Sequence, residues 1–147
     1  MTAPAPTFET FNQRWADRSI GRVSATGIDA YLGLVITAIE PGRLTCEMPV
    51  TDELITRMGN MHGGCLSALC DHTLGVVMYP VMPEGYWAAT TEFKINLLAP
   101  VTGGTCVAEA TIVSMSRRLA VVRIDVTNDD RLVAVAQGTC TIVAPKG

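Results

Sequence analysis

The sequence has little charge and no excess of positive charge. Asp, Glu, Lys and Arg together make up 17% of the chain, and the formal net charge is -3 at pH 7. A protein that binds the phosphates of nucleic acid needs a basic face. We therefore expect no nucleic-acid partner.

Long apolar runs are also absent. Although 48% of the residues are hydrophobic and the mean hydropathy is +0.30, the longest apolar stretches fall well short of the roughly 20 residues that a membrane span needs. The N-terminal residues Met-Thr-Ala-Pro-Ala-Pro have no basic or apolar leader region. High hydropathy without a span indicates an oligomer with apolar interfaces, and we expect a cytoplasmic protein without membrane contact.

The cysteines do not form a regular framework. Their number is odd and their spacing is scattered, which argues against both a disulfide network and a zinc site. We interpret all of them as reduced thiols in or near the core, and we predict no metal site. They are Cys46, Cys65, Cys70, Cys106 and Cys140.

The chain of 147 residues fits one main domain. A chain of this length buries roughly 68–70% of its unfolded surface, so it folds without disulfides. Residues 1–29 are predicted to be a seven-residue tail and a short amphipathic helix, indicated by Phe8, Phe11 and Trp15 at i, i+3 and i+7. Residues 30–147 are predicted to form the single domain, and no internal repeat interrupts them.

The domain pattern predicts six strands and one long helix. Strands are expected at 34–40, 43–49, 87–98, 105–114, 118–127 and 131–143, and an apolar helix from Gly63 to about Met78. Strands grouped in this way favour an antiparallel sheet in an α+β domain. The sheet must then curl around the helix, and its open edges invite pairing with a second copy.

The segment from Gly59 to His72 is the most informative part of the sequence. It reads Gly-Asn-Met-His-Gly-Gly-Cys-Leu-Ser-Ala-Leu-Cys-Asp-His, an apolar helix with one carboxylate, Asp71, at its centre. A helix that is hydrophobic all round is normally buried, and a buried unpaired carboxylate is costly. Asp71 is therefore the first candidate for chemistry. The alternative is a structural carboxylate bonded to Ser67.

Several short motifs occur together between residues 30 and 143. They are Leu32-Gly33, the turn Pro41-Gly42-Arg43, Met61-His62-Gly63-Gly64, Asp71 nine residues after His62, and the run from Thr90-Thr91-Glu92-Phe93 to Ala99-Pro100. This combination resembles the hot-dog-fold acyl-CoA thioesterases of the phenylacetate-pathway (PaaI-like) type. The resemblance implies a hot-dog fold, hydrolysis of acyl-CoA, no cofactor beyond the coenzyme A of the substrate, and a homodimer or homotetramer.

The resemblance also implies roles for four residues. Asp71 would be the general base or nucleophile, and the Gly63 N–H would polarise the thioester carbonyl. The Thr90 hydroxyl would orient the attacking water, and His62 would hold the loop or contact the thioester. Each has a structural alternative: Gly63 as a plain helix start, His62 bonded to backbone, and Thr90 as a β-branched strand residue.

Physical chemistry is consistent with a reaction at the helix start. The first N–H groups of a helix have no intrahelical partner, and the helix dipole adds partial positive charge there. A thioester oxygen placed at Gly63 and Gly64 would be stabilised as its charge develops. The nine residues from His62 to Asp71, however, span roughly 13 Å of helix. We therefore expect the site to combine Gly63 of one protomer with Asp71 of another.

Substrate contacts are predicted around this segment. Thr56 stands where the resembled family often has Asn, and Asn60, Met61 and Gly64 lie close in sequence. The apolar lining for an aryl or medium-chain acyl group is predicted from Met58, Met61, Leu66, Leu69, Met78 and Trp87.

Basic residues are the expected contacts for the coenzyme A phosphates. Arg117 and Arg118 occupy a turn where the resembled family carries a basic pair, and Arg57 is a further candidate. The alternative for all three is a solvated surface charge. His72 is expected to be structural.

Two other functions compete with hydrolysis. A hydratase or dehydratase of acyl thioesters would need a catalytic His and a partner acid in a different motif. A non-catalytic acyl-CoA sensor would share the fold but would need no carboxylate at position 71. Asp71 favours the enzyme.

Overall fold

The computed structural model describes residues 6–146. The helices are α1 (Gln13–Ser19), α2 (Gly27–Leu32) and α3 (Gly63–Val76), and the strands are β1 (Val35–Glu40), β2 (Arg43–Pro49), β3 (Trp87–Leu97), β4 (Thr105–Met115), β5 (Leu119–Asn128) and β6 (Arg131–Val143). The predicted order of strands around one long helix is confirmed. Most of the predicted tail, residues 1–5, lies outside the described residues.

The six strands form one antiparallel sheet in the order β1-β2-β4-β5-β6-β3. The tight turn between β1 and β2 depends on glycine, since Gly42 has a φ of 73° that most residues avoid. Strands β1 and β3 each pair with one neighbour within the described chain, so the sheet is not closed. The expected open edges are confirmed.

Helix α3 lies across one face of the sheet and contacts β2, β3, β4, β5 and β6. Leu69 and Leu74 of α3 are fully buried on the side that faces the sheet, and the buried Thr73 hydroxyl donates to the Leu69 carbonyl at 2.6 Å. A Cβ on Gly138 of β6 would lie 2.5 Å from side-chain atoms of both Leu74 and Phe93. Glycine at this position therefore permits the close approach of α3 to β6 and β3.

The N-terminal segment packs on this domain. The predicted helix beginning at Phe8 is wrong at its start, because α1 begins only at Gln13, where the Asn12 side chain accepts a hydrogen bond from the Trp15 N–H at 2.9 Å. The Phe8 ring instead lies against Gly42. Of the helices in residues 6–146, none is long and apolar enough to cross a membrane.

Candidate active site at the two ends of helix α3

The start of α3 leaves one backbone donor free. His62 precedes the helix, and its Nδ1 accepts a hydrogen bond from the Gly64 N–H at 2.9 Å. The hydrogen bonds of the described residues include none from the Gly63 N–H. Gly63 is therefore the available donor at the positive end of the helix dipole, whereas Gly64 is occupied by the cap.

The Gly63 backbone borders a cavity of about 290 Å³. Seven of its nine lining residues have apolar side chains; the lining consists of Asn60, Met61, Gly63, Leu66, Leu97, Leu98, Ala99, Pro100 and Val101. A Cβ on Gly63 would lie 2.5 Å from the Leu97 Cδ1 atom. The absence of a side chain thus lets Leu97 pack against Gly63.

The loop before α3 is held by its own hydrogen bonds. The Thr56 hydroxyl accepts from the Met58 N–H at 3.2 Å, and the Thr56 N–H donates to the Asn60 carbonyl at 2.8 Å. The Asn60 side chain donates to the Met61 carbonyl at 3.2 Å. Asn60 and Met61 reach the cavity wall, whereas Thr56 shapes the turn behind it and does not line the cavity.

Asp71 lies on an uncovered side of α3. The expectation that it is buried is wrong for the single chain, because the side chain is exposed and the sheet covers only the opposite face of the helix. The alternative partner, Ser67, donates instead to the Gly63 carbonyl at 3.0 Å. Within residues 6–146, the Asp71 carboxylate has no hydrogen bond or ion pair.

Asp71 and Thr90 both lie on the side of the molecule where Cys140 is buried. Thr90 of β3 is the register partner of Cys140 in β6, and the Cys140 Sγ lies 3.7 Å from the Leu74 carbonyl of α3. Burial raises the pKa of the Cys140 thiol; the Thr90 hydroxyl opposes this shift and the Asp71 carboxylate adds to it. The structure therefore places Asp71 and Thr90 at the same end of the molecule.

The start of α3 lies far from that end. The eight residues from Gly63 to Asp71 rise about 12 Å along the helix axis. The seven residues from Leu97, which contacts Gly63, back to Thr90 span about 23 Å of strand. Within one chain the Gly63 donor and the Asp71 carboxylate are therefore about 12 Å apart along α3.

The predicted acyl lining needs correction. Leu69 and Met78 are 0% exposed within the core and cannot contact a ligand without repacking, while Met58 is 86% exposed on the loop surface. Met61 and Leu66 do line the cavity. Sequence reasoning missed Leu97, the last residue of β3, and Leu98 after it, which both line the cavity, because no local pattern indicates which residues face Gly63.

The predicted phosphate contacts lie on the surface. Arg117 and Arg118 are exposed in the β4–β5 turn. The Arg118 carbonyl accepts from the Ile142 N–H at 2.8 Å, and Ile142 is the register partner of Ala88. This turn therefore lies at the Thr90 end of the sheet.

Two further polar groups are placed by the fold. His72 Nδ1 lies 3.3 Å from the Asp29 Oδ1 of α2, a contact that ties α2 to α3, as expected of a structural residue.

All five cysteines are free. Residues 6–146 contain no cluster of three or more His, Cys, Asp or Glu side chains able to hold a metal ion.

Comparison with known proteins identifies the family. A model described as the thioesterase superfamily matches residues 58–135. Human acyl-coenzyme A thioesterase 13 is 26% identical over 80% of this chain and 84% of its own length. The 1,4-dihydroxy-2-naphthoyl-CoA hydrolase of Listeria monocytogenes is 23% identical over 82% of this chain and 97% of its own length.

Solved structures agree with this match. A thioesterase family protein from Silicibacter pomeroyi is 28% identical with a TM-score of 0.76, covering 81% of this chain and 90% of that one. A mutant of the phenylacetic acid degradation protein PaaI from Thermus thermophilus is 28% identical with a TM-score of 0.69, covering 76% of this chain and 94% of that one. The predicted hot-dog fold is confirmed, and the family model spans more than half of the residues: the chain belongs to the thioesterase superfamily.

Proposed function

We propose that the protein hydrolyses acyl-CoA thioesters to the free acid and coenzyme A. The observation that carries this proposal is the unpartnered Gly63 N–H, which borders a cavity lined mostly by apolar side chains at the positive end of α3. A carbonyl oxygen placed there gains stabilisation as negative charge develops on it in the transition state. The names of the human and Listeria relatives both refer to coenzyme A thioesters, which supports the substrate class.

Asp71 is the group that activates water. Its carboxylate is exposed and free of hydrogen bonds among residues 6–146, so it is available to accept a proton. As general base it takes a proton from water while the water oxygen attacks the thioester carbon. The C–S bond then breaks, and the thiolate of coenzyme A leaves and is protonated. Direct attack by the carboxylate, followed by hydrolysis of the anhydride, is the covalent version of the same route.

Thr90 and His62 complete the proposed machinery. The Thr90 hydroxyl lies at the Asp71 end of the molecule and orients the water. Because His62 Nδ1 accepts from Gly64, its neutral imidazole carries the proton on Nε2. This exposed Nε2–H is a second donor beside the free Gly63 N–H and contacts the thioester.

The complete site requires two protomers. The site has two halves, the Gly63 donor and the Asp71 carboxylate. These half-sites are separated by about 12 Å of helix in one chain, while a two-fold axis would bring Gly63 of one protomer to Asp71 of the partner subunit. The free edge of β3 and the uncovered side of α3 are the surfaces for this pairing. A homodimer is therefore the smallest active unit, and a tetramer would be a pair of such dimers.

The cavity beside Gly63 receives the acyl group. Its volume of about 290 Å³ lies at the lower end of the range of ligand pockets. Its leucine, proline and valine walls suit an apolar group without charge. An aryl or short to medium aliphatic acyl group fits these limits better than a long fatty chain.

Steady-state hydrolysis of aryl- and fatty acyl-CoA thioesters tests the proposal. Free thiol would be followed for the wild type, Asp71→Asn and the matched control Asp125→Asn, which changes a carboxylate on the sheet face away from α3. We expect turnover that Asp71→Asn lowers at least a hundredfold and that Asp125→Asn retains. If the wild type bound the esters without hydrolysing them, the proposed hydrolase activity would be wrong and a non-catalytic acyl-CoA sensor would be favoured.

A further inference from the structure

A second cavity lies on the far side of the domain from the Gly63 donor. Its volume is about 300 Å³, and it opens between α1, the turn Tyr79–Val81 and the loop that leads to β3. Its walls include two arginines, three aromatic rings and one carboxylate: Arg14, Arg18, Trp15, Tyr79, Tyr86 and Glu84. None of these residues belongs to the machinery proposed above.

The charge in this cavity is positive. Arg14 and Arg18 are four residues apart in α1 and therefore project from the same side of the helix. No salt bridge in residues 6–146 involves either guanidinium. The acid nearest in sequence, Asp17, accepts a hydrogen bond from the Gln13 side chain at 2.7 Å. Glu84 balances only one of the two charges. Two unpaired guanidinium groups on one wall suit a phosphate, which they can bind through forked donors.

The aromatic wall suits a planar base. Trp15 and Tyr79 stack with their ring centroids 5.8 Å apart and an interplanar angle of 14°. Tyr86 lines the same cavity. All three rings are half-buried and therefore held in place while part of each stays accessible. Rigid aromatic faces bind nucleobases by stacking, with about 1–3 kcal/mol per base.

We infer that this cavity binds a phosphorylated nucleoside, with its base on the aromatic wall and its phosphate on Arg14 and Arg18. If the proposed function holds, the nucleotide end of coenzyme A is the natural source, and that assignment rests on the proposed function. Several of the residues that line the cavity, from Tyr79 to Tyr86, belong to the segment between the end of α3 and the start of β3. The cavity therefore lies at the end of the molecule that carries Thr90. A free nucleotide is the other source of the same chemistry.

Direct binding tests the cavity without any turnover. Adenosine 3′,5′-bisphosphate would be titrated into the full-length protein carrying Trp87→Phe, which leaves Trp15 as the single tryptophan. We expect saturable quenching of Trp15 emission, and at least a tenfold weaker affinity when Arg14→Gln and Arg18→Gln are added. The control pair Arg43→Gln and Arg123→Gln removes the same charge elsewhere and should leave the affinity unchanged.

Kinetics distinguish the two sources. For an acyl-CoA substrate, Arg14→Gln/Arg18→Gln should raise KM at least fivefold with kcat unchanged, whereas the KM for the matching acyl-pantetheine, which lacks the nucleotide, should not move. If the double variant weakens bisphosphate binding but alters neither KM, the cavity binds a free nucleotide, and the inference stands with that source.

The inference has clear grounds for rejection. Failure of the bisphosphate to quench Trp15, or equal weakening by both arginine pairs, would overturn it. Since the binding measurement needs no hydrolysis, a protein that binds the bisphosphate but cleaves no thioester would refute the proposed function and leave this cavity assigned.

Discussion

The imidazole of His62 accepts the N–H of Gly64 at 2.9 Å, and this hydrogen bond assigns different tasks to two adjacent glycines. The Gly64 donor closes the helix cap, while the Gly63 donor stays free at the cavity. His62 thereby acts as the N-cap residue of α3. The same bond fixes which imidazole nitrogen faces away from the helix.

Substitutions at His62 separate capping from substrate contact. His62→Ala removes the cap and should lower the free energy of unfolding by about 1 kcal/mol, whereas His62→Asn retains a capping acceptor and should cost only a few tenths. Both variants lack the Nε2–H, so both should lose kcat/KM to a similar extent. Urea unfolding and thioesterase assays measure the two effects. Full activity in His62→Asn would restrict His62 to the cap.

A proline at position 63 tests the free donor. Proline is favourable at the first position of a helix and has no N–H, and the ψ of 132° at His62 is compatible with a following proline. Gly63→Pro should lower kcat by about 10²–10³, the usual cost of losing an oxyanion donor, with little change in melting temperature.

Gly63→Ala is the matched control for this change. It adds a Cβ that meets only the flexible end of Leu97, and it keeps the N–H. Its kcat should therefore stay much closer to that of the wild type. Equal losses in the alanine and proline variants would attribute the effect to crowding by the new carbon and would contradict the role of the donor.

Mixed dimers test the shared site. Asp71→Asn and Gly63→Pro should each be nearly inactive, because each removes one half-site from both active sites. After unfolding and refolding as an equal mixture, half of the dimers are mixed, and each mixed dimer has one intact site. The mixture should then recover about a quarter of the wild-type specific activity. No recovery, with mixed dimers shown by differential tags, would mean that both groups act within one chain.

Leu97 should set the acyl length. Its side chain is 53% exposed and borders the cavity beside Gly63, so truncation enlarges the cavity without opening the core. Each extra buried methylene is worth about 0.8 kcal/mol. Leu97→Ala should therefore shift the preferred acyl chain by one or two carbons to longer substrates, measured as kcat/KM ratios. Val113→Ala, on the exposed part of β4, should keep the wild-type profile.

The thiols should be unreactive in the folded protein. Burial raises the pKa of Cys46 and Cys70 to about 12 and that of Cys106 to about 11 from an ordinary 9.0. Because the thiolate is the reactive form, native protein at pH 8 should react slowly with a disulfide reagent, first at half-buried Cys65. All five thiols should react in denaturant.

The raised thiol pKa values also predict how the stability of the protein changes with pH. Above pH 9 the unfolded chain loses thiol protons that the folded chain keeps, so the free energy of unfolding should fall between pH 9 and about pH 11–12. Melting temperatures across this range check the sign. The fall should be smaller in Cys46→Ala than in the wild type.

Much of the fold could be predicted because local patterns decide it. The bounds of β2 and β6 are those that the alternating residues predict, and α3 begins at the predicted Gly63. The error at α1 has a local cause: the aromatic spacing of Phe8 and Phe11 resembles a helix, but the Asn12 cap starts the helix later, and Phe8 packs against Gly42 instead.

The sequence by itself determined the succession of strands and helix along the chain, the start of the central helix and the presence of one carboxylate within it, because side-chain periodicity and glycine placement act over a few residues. Only the tertiary structure decided which side of α3 the sheet covers, and hence that Asp71 is exposed in the single chain. It also decided that Leu97 lies over Gly63 and that Asp71 shares an end with Thr90. These relationships join residues distant in sequence, and they depend on how the whole sheet packs against the helix.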